Sequence, residues 1–164
     1  VVYDSEGNVV DTISYTRYHT DFIINESGND NANKTIYVNC PESVTGRLAG
    51  TYNVVSNGTN TDGQPPAVDV EAVVTLTDKG GGVYELDNIF ANVYEAFYCA
   101  AYGYCFTNTG DIVDVCGSII GTWTDSFGAG VYVDGTYDET TGVITIHWTN
   151  DFGDEATSVY TPVN

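Results

Sequence analysis

Positive charge is almost missing from this sequence. Only Arg17, Lys34, Arg47 and Lys79 are basic, against 23 acidic residues, which leaves a formal net charge of −19. A surface this acidic repels phosphate backbones and anionic lipid headgroups, so nucleic acid and acidic membranes are excluded as partners. Calcium ions or neutral polar ligands suit such a surface better.

Long apolar runs and methionine are also lacking. No stretch is long enough to span a bilayer as a helix, so we expect no membrane insertion. Methionine is absent even from position 1, and we expect Val1 to be a processed terminus or the start of a cut fragment, with any signal peptide already removed. Strong helix formers such as Lys, Leu and Gln are scarce. Disorder is excluded because Val, Ile, Tyr and Thr are abundant.

Catalytic motifs are missing as well. The chain has two histidines, His19 and His147, and no G-x-S-x-G, H-E-x-x-H or glycine-rich phosphate loop. Acidic residues are so widespread that no carboxylate pair stands out for glycoside hydrolysis. The sequence therefore predicts a protein that is not an enzyme and that needs no cofactor, with calcium as the one possible exception.

Alternation with a period of two dominates the chain. In "GVITIHWT", Ile144, Ile146 and Trp148 share one face, and His147 lies on the other, outward face. Further strands are predicted at "GTYNVVS", "AVDVEAVVTLTD", "GVYELDNIF", "GVYVDGTYD" and "TSVYTPV", and only "NVYEAFYCAAY" is suited to a short helix. The pattern predicts an all-β protein, an antiparallel sandwich or a flattened barrel of about ten strands.

The first 44 residues differ from the rest. They are predicted to form a short strand, a turn at "DSEGN", a long strand and a strand "TIYVNC", which is too little for an independent core. We therefore divide the chain into an N-terminal strand segment (1–44), which is a strand donor or the tail of a larger sandwich domain, and a sandwich or barrel domain (45–164). A strand without its own core is suited to adding to a neighbour's sheet, which predicts self-association and an open filament.

The four cysteines predict disulfides. Cys40, Cys99, Cys105 and Cys116 are even in number, and their spacing is unlike that of a zinc site. One pairing joins Cys99 to Cys105 across a short loop and Cys40 to Cys116. The alternative, Cys40 to Cys99 with Cys105 to Cys116, is nearly as plausible from the sequence.

Aromatic residues crowd the stretch "YCAAYGYCF". A disulfide-pinned loop that displays Tyr98, Tyr102 and Tyr104, joined by Trp123, is typical of a sugar-binding face, because flat rings cover the apolar faces of sugars. The alternative is that these rings fill the core of a domain that is poor in leucine and lacks methionine.

A second candidate site is the turn "NDFGDEAT". It gathers Asn150, Asp151, Asp154 and Glu155, whose hard oxygen atoms in a glycine-containing loop suit calcium. The alternative is a solvated acidic turn without a metal.

Several short motifs resemble a known group of modules. The order "TIYVNCP", "LAGTYNV", "CGSIIGTWTDSFG" and "TGVITIHW" is similar to β-rich modules in secreted and outer-surface proteins of the Bacteroidota, over about residue 35 to the C-terminus. In these modules an immunoglobulin-like or PKD-like strand pair precedes a small β-domain. The resemblance implies a cell-surface location and a role without catalysis.

Together these features predict an extracellular, cell-surface β-protein with a structural or adhesive role. We expect it to associate with itself, as a fibre subunit that exchanges residues 1–44, or with other surface proteins. The alternative function is a carbohydrate-binding module that uses the aromatic loop.

Overall fold

Eight antiparallel strands close into a barrel in the computed structural model, which describes residues 2–3, 9–11, 41–105 and 107–163. Two short strands, β1 (Val2–Tyr3) and β2 (Val9–Asp11), form a separate sheet. The barrel strands are β3 (Gly50–Thr59), β4 (Ala67–Gly80), β5 (Val83–Leu86), β6 (Gly110–Val115), β7 (Ser118–Thr124), β8 (Gly130–Tyr137), β9 (Ile144–Asn150) and β10 (Glu155–Pro162). Helix α1 (Val93–Tyr102) separates β5 from β6, and a 3-10 turn, Pro41–Val44, precedes β3. The all-β prediction is confirmed, and of the two predicted architectures the barrel is the one found, with eight strands in the barrel where about ten were predicted.

The barrel is closed by hydrogen bonds between its first and last strands. Each of β3 to β10 pairs with its neighbours in the chain, and β10 pairs with β3, so that Val159 lies opposite Val55. A closed ring has no free edge for a strand from another chain. Of the N-terminal segment, β1 and β2 pair with each other. The predicted long strand and "TIYVNC" lie outside the described residues.

Alternating side chains fill the barrel interior. Ile144, Ile146 and Trp148 are fully buried, as the alternation in β9 predicts. Tyr84 and Tyr160 are also fully buried. Complete burial of one such large side chain contributes about 1.5–3 kcal/mol, so these rows hold the barrel together.

Two barrel strands, β6 and β7, are not predicted by the sequence pattern. The inward face of β6 carries Ile112 followed by Asp114, a buried carboxylate, which interrupts the apolar alternation. On β7, Gly121 stands between Ile119 and Trp123, and Ile120 lies on the opposite face. Neither strand therefore shows a clear hydrophobic period of two.

One end of the barrel, here called the upper end, collects the connections that follow β3, β5, β7 and β9. These connections are residues 60–66, 87–109, 125–129 and 151–154. They meet because strands in an antiparallel ring alternate in direction, so every second connection lies at the same end. Segments far apart in sequence are thereby brought side by side.

Helix α1 covers the upper end. It buries Val93, Tyr94, Phe97 and Tyr98, and the ring of Tyr94 stacks on Phe90 with centroids 3.6 Å apart. The helix at "NVYEAFYCAAY" is thus confirmed. In the described part of the chain, no helix is long and apolar enough to cross a membrane.

The opposite end is closed by an ion-pair cluster. Arg47 donates to the buried carboxylate of Asp114 at 2.7 Å and also pairs with Glu139. These hydrogen bonds, those to Asp114 above all, raise the pKa of Arg47. The guanidinium also lies 4.9 Å from the ring centre of Tyr137. The charge of Arg47 is therefore balanced by two carboxylates of this end.

Candidate functional site

An open cleft of about 250 Å³ lies at the upper end of the barrel. Its lining residues are Asp62, Tyr98, Tyr102, Phe127 and Phe152, and together they are called the aromatic cleft below. Three of the rings are about half exposed: Tyr102 at 61%, Phe127 at 48% and Phe152 at 49%. A single exposed ring is ordinary on a protein surface. Several exposed rings that line one concavity are typical of a binding surface.

Two matching turns present the phenylalanines. In the β7–β8 turn the Asp125 carboxylate accepts hydrogen bonds from the backbone N–H of Phe127 and of Ala129, at 2.9 and 2.8 Å. In the β9–β10 turn the side-chain oxygen of Asn150 accepts from Phe152 and Asp154, at 3.0 and 2.9 Å. Each turn thus places a phenylalanine two residues after its Asp or Asn, with the same hydrogen bonds.

A glycine completes each of these turns. Gly128 and Gly153 directly follow the phenylalanines and have φ of 87° and 89°. Side chains with a Cβ rarely adopt this conformation, so glycine is needed there. The two rings end 6.5 Å apart, centre to centre.

The other wall of the cleft is the last turn of α1. Tyr98 and Tyr102 are four residues apart and therefore lie on one face of the helix, with ring centres 6.1 Å apart. The helix ends at Gly103, and the predicted disulfide between Cys99 and Cys105 is formed across this end. The bridge limits the freedom of the segment that carries Tyr102.

The remaining predicted disulfide is only partly described. Cys116 is disulfide-bonded, whereas its predicted partner, Cys40, lies outside the described residues. The formed bridge excludes the alternative pairing, which requires Cys99 and Cys105 to have different partners.

A buried carboxylate fastens the loops beneath the cleft. Asp154 is fully buried and accepts hydrogen bonds from the Tyr98 hydroxyl and, at 3.0 Å, from the Asn150 amide. Its second oxygen accepts from the Thr61 backbone N–H at 2.8 Å. Asp154 therefore joins three segments: helix α1, the β3–β4 loop and the β9–β10 turn.

Tyr94 extends this network to the remaining loop. Its hydroxyl donates to Asp125 at 2.7 Å and accepts from Asn150 at 2.9 Å. Burial raises the pKa of Tyr94 and of Tyr98, and the neighbouring carboxylates Asp125 and Asp154 raise these pKa values further. The hydroxyls consequently stay protonated and remain donors. A cleft held in this way is organised before a ligand arrives, which lowers the entropy lost on binding.

The structure brings together half of the predicted aromatic platform. Tyr98 and Tyr102 line the cleft. Tyr104 is buried at 6% exposure and packs its ring against Phe127, 4.6 Å away, so it supports the cleft without lining it. Trp123 lies elsewhere: it is on the inward face of β7 and packs 6.0 Å from Phe90 in the core. Trp123 is partly buried there, a placement that agrees with the core-filling alternative.

Three residues of the cleft are missing from the sequence-based platform: Asp62, Phe127 and Phe152. A signal for the phenylalanines exists, because "DSFG" (125–128) and "NDFG" (150–153) each follow a strand and share the pattern Asp/Asn-x-Phe-Gly. We find no comparable signal for Asp62.

The predicted calcium ligands are directed to different partners. Asn150 and Asp154 belong to the buried network, and Asp151 accepts from the Gly130 backbone N–H at 2.7 Å. Glu155 lies 3.8 Å from His147 on the barrel wall. No group of three or more His, Cys, Asp or Glu side chains suited to a metal occurs among the described residues. Calcium at this turn stays a prediction.

A second concavity lies on the outer wall of the barrel. It is a groove of about 370 Å³, bordered by Asn57, Pro66, Val68, His147 and Glu155. Its floor is formed by small residues such as Gly58 and Ala156. The Nδ1 atom of His147 lies within hydrogen-bond distance of the Asp134 carboxylate, at 3.2 Å, as expected for a solvated strand histidine. With no aromatic ring but this imidazole, the groove is a weaker candidate than the cleft.

Two comparisons with known proteins found a similarity. Residues 41–162 match the model of a Bacteroides-type protein family that is described as a C-terminal domain. Among solved structures, a redesigned β-barrel is similar to the chain, with a TM-score of 0.48 and 16% identity over 74% of this chain and 96% of the other. No curated protein matches the sequence. Since the family model spans most of the sequence, the chain belongs to this Bacteroides-type family of C-terminal domains and is a Bacteroidota β-domain.

Proposed function

We propose that this protein is an extracellular, non-catalytic binding module that holds a glycan in the aromatic cleft. The observation that carries the proposal is the grouping of three half-exposed rings, Tyr102, Phe127 and Phe152, around one cleft. Rings displayed in this way cover the apolar faces of sugars, and the carboxylate of Asp62 at the rim accepts hydrogen bonds from sugar hydroxyls.

The disulfide and the family support an extracellular location. The Cys99–Cys105 bridge persists in an oxidising compartment, and cytosolic proteins rarely contain such a bridge. The Bacteroides-type family agrees with the secreted and outer-surface modules that the sequence resembles. An immunoglobulin-like or PKD-like strand pair before the barrel stays a prediction, since that part of the chain lies mainly outside the described residues.

A structural or fibre-forming role also stays a prediction. It depends on strand exchange by residues 1–44, most of which are not described. The closed barrel has no free edge to accept such a strand, so any exchange would need a different acceptor. For this reason we place glycan binding first, and the adhesive role predicted from the sequence is compatible with it.

Single ring removals test the proposal. On a glycan array followed by calorimetry, we expect the protein to bind at least one sugar, and Tyr102→Ala and Phe152→Ala each to weaken that binding about tenfold, or about 1.4 kcal/mol. The physical reason is that each ring covers part of the sugar that water would otherwise contact.

Tyr132→Ala is the matched control. This tyrosine is similarly exposed, at 53%, but stands on β8 and does not line the cleft. Equal losses for all three variants, or no loss for Tyr102→Ala and Phe152→Ala, would place the sugar outside the aromatic cleft.

A further inference from the structure

The surroundings of the aromatic cleft carry charge of one sign. Asp62 lies at its rim, Asp154 is buried beneath Tyr98, and Asp151 precedes Phe152. No basic side chain lines the cleft. The cleft is therefore a region of negative potential whose charge is not balanced from within the described residues.

The basic residues of the described chain are engaged elsewhere. Arg47 pairs with Asp114 and Glu139 at the opposite end of the barrel. Lys79 binds Asp111 at 2.9 Å and Glu85 at 3.4 Å. Neither side chain is available to neutralise the cleft, so within the part of the chain that the structure describes no basic side chain supplies a positive charge there, and a cationic ligand would supply it.

Asp62 is held at the rim by its neighbour. Thr61 binds Asp154 through its backbone N–H, and its hydroxyl donates to the carbonyl oxygen of Phe152 at 2.9 Å. The residue before Asp62 is thus tied both to the buried network and to the turn that carries a ring of the cleft. The backbone next to Asp62 is thereby fixed, and Asp62 lines the cleft together with the rings.

Aromatic rings next to a carboxylate form a binding site for organic cations. The faces of Tyr and Phe rings are electronegative and attract an ammonium group that lies within about 6 Å of the ring centre. The ring pairs of the cleft have centre separations of 5.7 to 6.5 Å, Tyr98 to Phe127 and Phe127 to Phe152. Sulfated or uronic sugars, by contrast, would meet the repulsion of Asp62 and Asp154.

We propose that the aromatic cleft recognises the protonated amine of an unacetylated amino sugar, with the ammonium group against the rings and beside Asp62. This inference rests on the glycan-binding function proposed above and names the class of sugar. The sugar ring supplies the apolar face that the phenylalanines cover, and the amine supplies the charge that the cleft lacks.

Three oligosaccharides of equal length test the inference by calorimetry: a chitosan tetrasaccharide, its fully N-acetylated counterpart and cellotetraose. At a pH where the amine is protonated, we expect the chitosan tetrasaccharide to bind about tenfold more tightly than the other two. Asp62→Asn should reduce this preference about fivefold, because it removes the negative charge that favours only the protonated amine. Added salt should reduce the preference as well.

Asp134→Asn controls for attraction to the acidic protein as a whole. It removes the same charge from the barrel wall, where Asp134 is 81% exposed. If Asp134→Asn and Asp62→Asn reduce the preference equally, the attraction is non-specific and the inference is overturned.

The remaining outcomes separate this inference from the proposed function. Equal binding of all three sugars, weakened by Tyr102→Ala, overturns the amino-sugar inference but supports glycan binding. Binding of tetramethylammonium in the cleft, without binding of any sugar, overturns both and assigns the site to a different cation. If neither a sugar nor tetramethylammonium shows binding that depends on Tyr102, the amino-sugar inference and the glycan-binding function are both overturned.

Discussion

Alkaline pH should unfold this protein abruptly, between about pH 10 and pH 12. Burial raises the pKa of Tyr52 to about 12, and it also raises the pKa values of Tyr84, Tyr94, Tyr98 and Tyr160 above the ordinary tyrosine value of 10.0. In the folded state these hydroxyls therefore keep their protons at a pH where those of the unfolded chain are lost.

The sign of the effect follows from the direction of these shifts. A raised pKa contributes stability that is complete below the unfolded value of 10.0 and is lost as the pH rises through the folded value. Each tyrosine then lowers the free energy of unfolding by about 1.4 kcal/mol per pH unit, and five together by about 7 kcal/mol per pH unit. Since the free energy of unfolding of a domain is about 5–15 kcal/mol, a rise of one to two pH units above pH 10 is enough to unfold the protein.

Circular dichroism and tyrosinate absorbance, followed together against pH, check this prediction. The buried tyrosines should ionise in one step that coincides with loss of the β signal and that reverses on rapid return to neutral pH. Gradual ionisation near pH 10 with the barrel signal intact would contradict the account.

Tyr160→Phe is the matched variant for the alkaline experiment. Its hydroxyl is buried and has no hydrogen-bond partner among the described residues, so its removal breaks no bond there. We expect Tyr160→Phe to retain its neutral-pH stability and to unfold at a higher pH, because one of the five contributions is gone.

Replacement of Asp154 by alanine should give the largest loss of stability among single changes near the cleft. The fully buried carboxylate accepts from Tyr98, Asn150 and Thr61, and its removal leaves these donors without an acceptor. At about 1–3 kcal/mol for each unsatisfied buried donor, and with partial relief by relaxation of the loops, we expect about 4 kcal/mol. The melting temperature should fall by about 10 °C.

Asp151→Ala supplies the comparison for Asp154→Ala. Asp151 belongs to the same turn and also accepts hydrogen bonds, from the Gly130 N–H and the Tyr132 hydroxyl, but it is exposed. Water replaces an exposed acceptor, so we expect a loss of less than about 1 kcal/mol. Similar melting temperatures for the two variants would mean that Asp154 does not fasten the loops of the upper end.

Much of the barrel follows from local sequence patterns. The alternation of Ile144, Ile146 and Trp148 predicts the strand and its buried face, and the short spacing of Cys99 and Cys105 allows the bridge that is formed. Strands β6 and β7 escape prediction because Asp114 and Gly121 occupy inward positions that an apolar pattern would fill. Whether the sheet closes on itself depends on pairing between β3 and β10, which no local pattern encodes.

The aromatic cleft is less accessible to sequence reasoning. Tyr98 and Tyr102 stand out because they share one turn of a helix. Phe127 and Phe152 come from different connections and meet only because alternate connections of the barrel share an end. Trp123 is misleading, since a ring near a turn in sequence is here directed into the core. The repeated Asp/Asn-x-Phe-Gly turns are the sequence feature that indicates Phe127 and Phe152.

The most direct test of glycan binding in the aromatic cleft is nuclear magnetic resonance of the aromatic rings during titration with the best-bound glycan. The account predicts that the ring signals of Tyr102, Phe127 and Phe152 shift together in a saturable way, and that those of Tyr132 and His147 stay unchanged. Shifts confined to His147 would place the ligand in the groove on the outer wall. That result, or unchanged signals for all three cleft rings at saturating ligand, would contradict the central claim.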